Sequence, residues 1–405
     1  MTSSKKNLLF NGLILLLLSF QFSAYILIWA QLLDDPSLKG MDFISFYTAG
    51  KIFDLGLYNQ LFDLALQKQV QWEIVSPDTF SGGVNLSQHP PYLAPLLGLV
   101  IVDDFLTSYI RWSLVRLIVC AVIWYSVYVF LLQRGWRKDH AVLYGLAFIL
   151  FFPFFLGWLG GQDTAFILLG ILMWVLGLLN GQDKKAGAGL ALASLSPLVP
   201  FVLSIPMMLS RWKAGAWFVV SMIGLAVYSL LMIGFEGGRQ FIDLMLLSSQ
   251  GEGYGLNQTR MYNLLGLLLR GLPDSFHDTA RLTSWIFFAL VILVSSWFWH
   301  RHRDTLRIEH IALTVLVSTF ALPHLHIHGL SYLLIPALTH ALLAYEKGRE
   351  FEALCFLPVF SVIMLIASFV APPFLNYGLY YFFMVYLFFI LWNAIAGKAD
   401  RKALA

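Results

Sequence analysis

Charge is scarce in this sequence. Asp, Glu, Lys and Arg make up 12% of its 405 residues, about half the share of a soluble globular protein. That shortage excludes an ordinary soluble enzyme, a disordered chain and a basic nucleic-acid module, so no nucleic-acid partner is expected. Cysteine is nearly absent. Cys120 and Cys355 both lie inside apolar runs and read as small hydrophobes, which excludes a disulfide scaffold. The two halves share no evident repeat, which argues against inverted-repeat transporters. What is abundant is apolar: 59% hydrophobic and 16% aromatic residues, with mean hydropathy +0.74. The reading is an all-α polytopic membrane protein.

The formal charge is only +3, so the placement of charges carries more than their sum. Basic residues 5–6 precede an apolar run at 8–30 that is long enough to span and has no small-residue cleavage site after it. It is expected to be an uncleaved first span. Further spans are marked at 108–132, 141–160, 163–180, 214–235, 282–299, 308–322, 330–345, 353–371 and 375–396. Lys and Arg fall in clusters at 5–6, 134–138, 184–185, 211–213, 301–307, 347–349 and 398–402, whereas residues 31–90 hold three Lys against seven carboxylates. The positive-inside rule then puts both termini in the cytoplasm with about ten crossings.

Two shorter apolar pieces fit this path only if neither crosses. Residues 92–102 stay outside as a re-entrant or interfacial piece. Residues 186–209, interrupted by Pro197, Pro200 and Pro206, form a re-entrant hairpin with both ends cytoplasmic. The long outer loops are 31–107 and 236–281. Within the first, apolar residues at roughly helical spacing over 43–75 predict a helix lying in the interface plane.

The polar residues suited to chemistry gather on the outer face. Asp42, just ahead of that helix, is either an N-cap or a catalytic carboxylate. His89 opens His89-Pro90-Pro91-Tyr92, where the prolines force an extended entry. Gln162 and Asp163 open the fourth span, and a cap role is favoured for Asp163.

Several of these motifs together resemble glycosyltransferase family 87, polyprenyl-phosphate-mannose-dependent mannosyltransferases of the GT-C superfamily. They are Asp42-Phe43-x-x-Phe46-Tyr47-x-Ala49-Gly50, His89-Pro90-Pro91-Tyr92, Gly161-Gln162-Asp163-Thr164, Asn257-Gln258-Thr259 and Pro323-His324, in the family's order over roughly residues 40–335. The resemblance implies an enzyme acting outside the cell membrane on a polyprenyl-phosphate sugar donor and a glycolipid or glycan acceptor. Transfer inverts the anomeric carbon, with Asp42 as general base. Two departures stand out. Ser196-Pro197 replaces the usual Lys-Pro at the hairpin, and His326 and His328 follow Pro-His in place of an acidic residue.

A lipid-linked donor needs groups that hold its phosphate. Arg116 is a candidate because an intramembrane arginine is functional by default, whereas Arg111 can snorkel. Arg260, next to Asn257 and Gln258, can clamp a phosphate bidentately, or be a solvated loop residue. About 12 apolar residues after His310 are too few to span, so His324, His326 and His328 should sit in a cavity below the outer surface. Three histidines can bind zinc. With no Cys or Glu nearby, hydrogen bonding to phosphate is favoured, with no metal and no cofactor, and His324 leads. Sugar stacking by Trp72, Trp158 or Tyr254 fits the composition, but nothing in the sequence selects among them. Residues 251–255 read as a Gly-rich flap. The competing classes are a transporter or flippase for a lipid-linked sugar and a non-catalytic scaffold.

Overall fold

The computed structural model describes residues 3–80, 82–249 and 258–403, and among these it contains helices and turns but no strand. Helix α1 (Ser3–Leu33) leads into a segment holding α2 (Phe43–Asp54), α3 (Leu64–Trp72) and α4 (Ala94–Val100). The bundle continues with α5 (Phe105–Gln133), α6 (Lys138–Ile149), α7 (Phe152–Leu159) and α8 (Thr164–Leu179). After these come α9 (Asp183–Leu192), α10 (Leu198–Ser210) and α11 (Trp212–Ser249), then α12 (Leu264–Gly271) and α13 (His277–Arg301). The chain closes with α14 (Ile308–Ala321), α15 (Leu334–Glu346), α16 (Glu350–Val370) and α17 (Pro373–Ala403).

Seven helical runs are long and apolar enough to cross a membrane, and α6 with α7, bent by 50°, makes an eighth. This is a multi-pass membrane protein. The remaining two expected spans, α8 and α14, have 16 and 14 residues, about 24 and 21 Å against a hydrocarbon core near 30 Å. They fall short for one reason. Each stops at a polar turn, 160–163 or 323–326, that takes the depth another helical turn would fill. Most residues of both helices are buried, so protein more than lipid surrounds the irregular backbone.

The bend between α6 and α7 has its own buried support. Pro153 near the start of α7 cannot extend the preceding ladder. The freed Leu150 carbonyl accepts from the side chains of Gln21, Tyr25 and Ser361, and the Phe152 N–H donates to Ser361 Oγ at 2.8 Å. Residues of α1 and α16 thus satisfy a break that hydrocarbon would leave unpaired.

The hairpin α9–α10 starts and finishes at the same end of the bundle. A Cβ on Gly187 of α9 would meet Phe218 N, Ala214 O and Trp217 Cβ at the start of α11, and Gly215 lies against Met208 of α10. Its apex points the other way, where Ser194 Oγ is 2.8 Å from Tyr92 Oη. Small residues let α9 lie directly on α8, as in other membrane helix pairs. A Cβ on Gly170 would be 2.6 Å from Gly189 O, and one on Gly177 would be 2.5 Å from Ala186 N.

The segment after α1 departs from a single interfacial helix. It is cut at Gly56, whose φ is 72°, and α2 shows no polar stripe. Residues 43–50 and 52 of α2 are all buried, because α4 covers the side expected to face water. Gly50 touches Ile101, and Gly98 touches Phe53. Residues 92–102 accordingly pack on α2.

Overpacking the α8–α9 seam tests this arrangement. Gly170→Val should cost about 1–3 kcal/mol and lower the melting temperature in detergent. Gly224→Ala, where nothing lies within 4 Å of the added Cβ, should leave it nearly unchanged.

Candidate active site

The site begins with one face of α5. Tyr109, Trp112 and Arg116 lie one and two turns apart along the helix, and all three donate into the turn between α7 and α8. Tyr109 Oη donates to Leu159 O at 2.7 Å, and Trp112 Nε1 donates to Gly161 O at 2.7 Å. Arg116 Nη1 donates to the carbonyls of Trp158 and Gly157 and reaches Gln162 O at 3.5 Å. Its Nη2 donates to Ser113 Oγ, and the guanidinium lies between the Trp112 and Trp158 rings. Arg116 is fully buried. Its donors are occupied by backbone carbonyls and by Ser113 Oγ, which places it behind the turn and holds the turn in shape. Gly161 completes the turn with φ 82°, and a Cβ there would sit 2.5 Å from Phe43 Cβ.

The turn delivers Gln162 to Asp42. Gln162 Nε2 donates to Asp42 Oδ2 at 2.6 Å, and Asn85 Nδ2 lies 3.5 Å from Oδ1. Asp42 stands at the N-cap position of α2 but makes no side-chain cap bond. Its exposed carboxylate is aimed by two amides and remains open to a further partner.

Asp163 also makes no cap bond, so the expected cap of α8 is not formed. It is 5% exposed, and its Oδ2 has no hydrogen-bond partner. His89 Nδ1 is 3.6 Å from that oxygen. The His89 ring stacks on Phe46 at 3.8 Å between centroids, and Nε2 is 3.3 Å from Ser45 Oγ, which donates to the Asp42 carbonyl. Asp42, His89, Gln162 and Asp163 therefore come together, as the sequence suggests.

The histidine segment forms the opposing wall. It is extended through His326 and turns into a 3-10 helix at Ile327, which carries His328. His326 and His328 stack with centroids 6.1 Å apart, and His324 Nδ1 is buried without a partner. Burial pushes the His326 imidazole down to about 4; His328 adds to this, while Asp42 pulls it back up. His326 is thus a neutral hydrogen-bonding group at physiological pH, within the electrostatic reach of Asp42. Among the described residues no trio of His, Cys, Asp or Glu is arranged to hold a metal ion.

The segment 258–272 is fastened to this wall. Asn263 is fully buried. Its Nδ2 donates to Leu322 O and Pro323 O, and its Oδ1 accepts from Gly266 N as the cap of α12. Tyr262 N donates to Leu325 O at 2.8 Å. Arg270 Nη1 donates to Thr259 O and Met261 O, and its guanidinium lies 3.7 Å from the Tyr377 ring centroid. Gln258 accepts from Arg281, and Arg260 is exposed. Asn257 and Tyr254 lie outside the described residues, as does the segment 251–255.

Asn85, Asn263 and Arg270 were not singled out in the sequence. Asn263 before an apolar run carries the signal of a helix cap. Nothing local announces its two bonds to a segment about 60 residues away. Asn85 gives no signal at all, since its partner is reached only through the fold.

A multi-pass helical bundle with a carboxylate, amides and imidazoles gathered at its inter-helix turns is the class that fold and site define. The model of glycosyltransferase family 87 matches residues 89–323, more than half of the chain. The chain belongs to this family and is a membrane glycosyltransferase. No curated protein matches it. Asp42 and His324, His326 and His328 flank the matched stretch, so their assignment rests on the contacts above.

Two outcomes follow. Arg116→Leu should remove the side-chain donor shared by the buried carbonyls of Gly157 and Trp158, which keep only the N–H groups of Gln162 and Gly161, at about 1–3 kcal/mol in all, lowering melting temperature and activity together. Arg111→Leu, on the exposed face of α5, should do neither. Because His326 has a folded pKa of about 4 against a reference of 6.5, its contribution to stability is whole above pH 6.5 and is lost as pH falls toward 4. The melting temperature of His326→Asn should therefore fall less than wild type across that window.

Proposed function

We propose that this glycosyltransferase moves a hexose, mannose in the reading carried by the family resemblance, from a polyprenyl phosphate to a glycolipid or glycan acceptor. The reaction takes place on the outer face of the membrane, with both termini cytoplasmic, as the distribution of Lys and Arg supports. The observation that carries the proposal is the Asp42 carboxylate, exposed, uncommitted to capping and aimed by Gln162 and Asn85.

In a single displacement the acceptor oxygen attacks the anomeric carbon from the face opposite the phosphate. Asp42 takes the hydroxyl proton as the new bond forms, and the polyprenyl phosphate leaves with the bonding electron pair, so configuration inverts. The leaving group is already an anion and needs hydrogen-bond donors more than a general acid. His324 and His326, with Arg260 from the second loop, are the groups assigned to it. Gln162 and Asn85 fix the carboxylate, while His89 and Asp163 form its support from behind.

Asp42→Asn keeps the shape and removes the base. Transfer from polyprenyl-phosphate mannose should fall about 10²–10⁴-fold with donor binding retained. Unchanged transfer would remove Asp42 from the chemistry. Unchanged movement of a lipid-linked sugar across vesicles, with no transfer in wild type, would favour the transporter.

A further inference from the structure

Helix α11 is two helices joined at one residue. Gly234 has φ 69° and ψ 179°, a conformation open almost only to glycine, so the helical ladder breaks there. Residues 212–233 rise about 33 Å, which fills a hydrocarbon core near 30 Å. The break therefore falls where a span should end. Val220, Ile223, Val227 and Leu231, three and four residues apart, are each at least half exposed and make the lipid-facing stripe of that span.

Beyond the break, residues 235–248 show three faces. Gly237, Leu244 and Ser248 are buried, and this side rests on the segment between α1 and α5. A Cβ on Gly237 would be 3.3 Å from Asn59 O, and the Phe241 ring packs on Phe62 with centroids 4.8 Å apart. The second face is apolar. Phe235, Ile242 and Leu246 share one stripe at helical spacing and are 88%, 60% and 59% exposed. The third face is charged. Glu236, Arg239 and Asp243 are exposed beside the apolar stripe, and Arg239 pairs with Glu236 at 2.9 Å. A helix in water gains nothing from the second face, and one crossing hydrocarbon does not keep the third. All three faces are used together by a helix lying along the membrane surface. Lipid is the occupant that fits the apolar stripe, because the lipid-facing stripe of 212–233 ends at Leu231, four residues before Phe235.

We propose that residues 235–248 form an interfacial helix, with Phe235, Ile242 and Leu246 in the acyl boundary of one leaflet and Glu236, Arg239 and Asp243 in water. It docks the segment that carries Asp42 onto the lipid surface, and it holds whatever the chemical role of Asp42. The full chain in phosphatidylcholine vesicles, with bimane on a single introduced cysteine, tests it, the two native cysteines being buried. Bimane at Ile242→Cys should be quenched several-fold more by lipid carrying a nitroxide near the headgroup than by lipid carrying it at the chain end. Bimane at Asp243→Cys should be quenched by aqueous iodide several-fold more than at Ile242→Cys. Should Ile242→Cys fail to fold, Phe235→Cys against Glu236→Cys makes the same comparison. Equal iodide quenching on the two faces overturns the proposal by placing the helix in water. Strongest quenching of the apolar face from the chain end overturns it by placing the helix across the membrane. Protection of that face from both quenchers overturns it too, since protein, such as a second copy of the chain, then covers the stripe.

Discussion

A polar turn sunk among membrane helices persists only if every backbone carbonyl in it finds a donor. The turn between α7 and α8 meets that demand with the N–H groups of Gly161 and Gln162 and with one face of α5, where Tyr109, Trp112 and Arg116 reach the carbonyls of Gly157, Trp158, Leu159, Gly161 and Gln162. A buried guanidinium is costly in this setting, and here its cation is spread over carbonyl dipoles and two indole faces. The result is a rigid platform from which one amide, Gln162, points at Asp42. The same logic recurs at 322–325, where Asn263 and Tyr262 supply donors to the histidine segment.

These two turns explain why α8 and α14 are short. Each gives up a helical turn to place polar side chains below the ends of the longer helices, and the buried flanks of both helices keep lipid away. The segment between α1 and α5 is then held against the turns by its own amide network. Gln71 and Gln67 hold residues 85 and 87 in place, and Asn85 continues to Asp42. Function, on the reading proposed here, depends on a carboxylate that makes no cap bond and is oriented by Gln162 and Asn85.

Much of the architecture was legible in the sequence, because hydropathy and charge placement are read directly by the membrane. The apolar runs and the all-helical, multi-span architecture follow from those patterns. Less legible was what depends on who packs against whom. The spacing in 43–75 suggests a half-exposed helix, and only α4, folded back over it, buries α2 all round. Arg116 looks like a ligand for an anion because its helix is apolar, and the carbonyls that occupy it come from residues about 40 positions away. Asp163 looks like a cap from its place before Thr164, but its side chain turns inward toward His89 instead.

The most direct test of the central claim is a structure of the enzyme with a non-transferable polyprenyl-phosphate sugar analogue and an acceptor together. The account predicts the attacking hydroxyl within about 3.2 Å of the Asp42 carboxylate, with the phosphate on the side of His324 and His326. An acceptor hydroxyl more than about 10 Å from Asp42, beyond the reach of one bridging water, would contradict it.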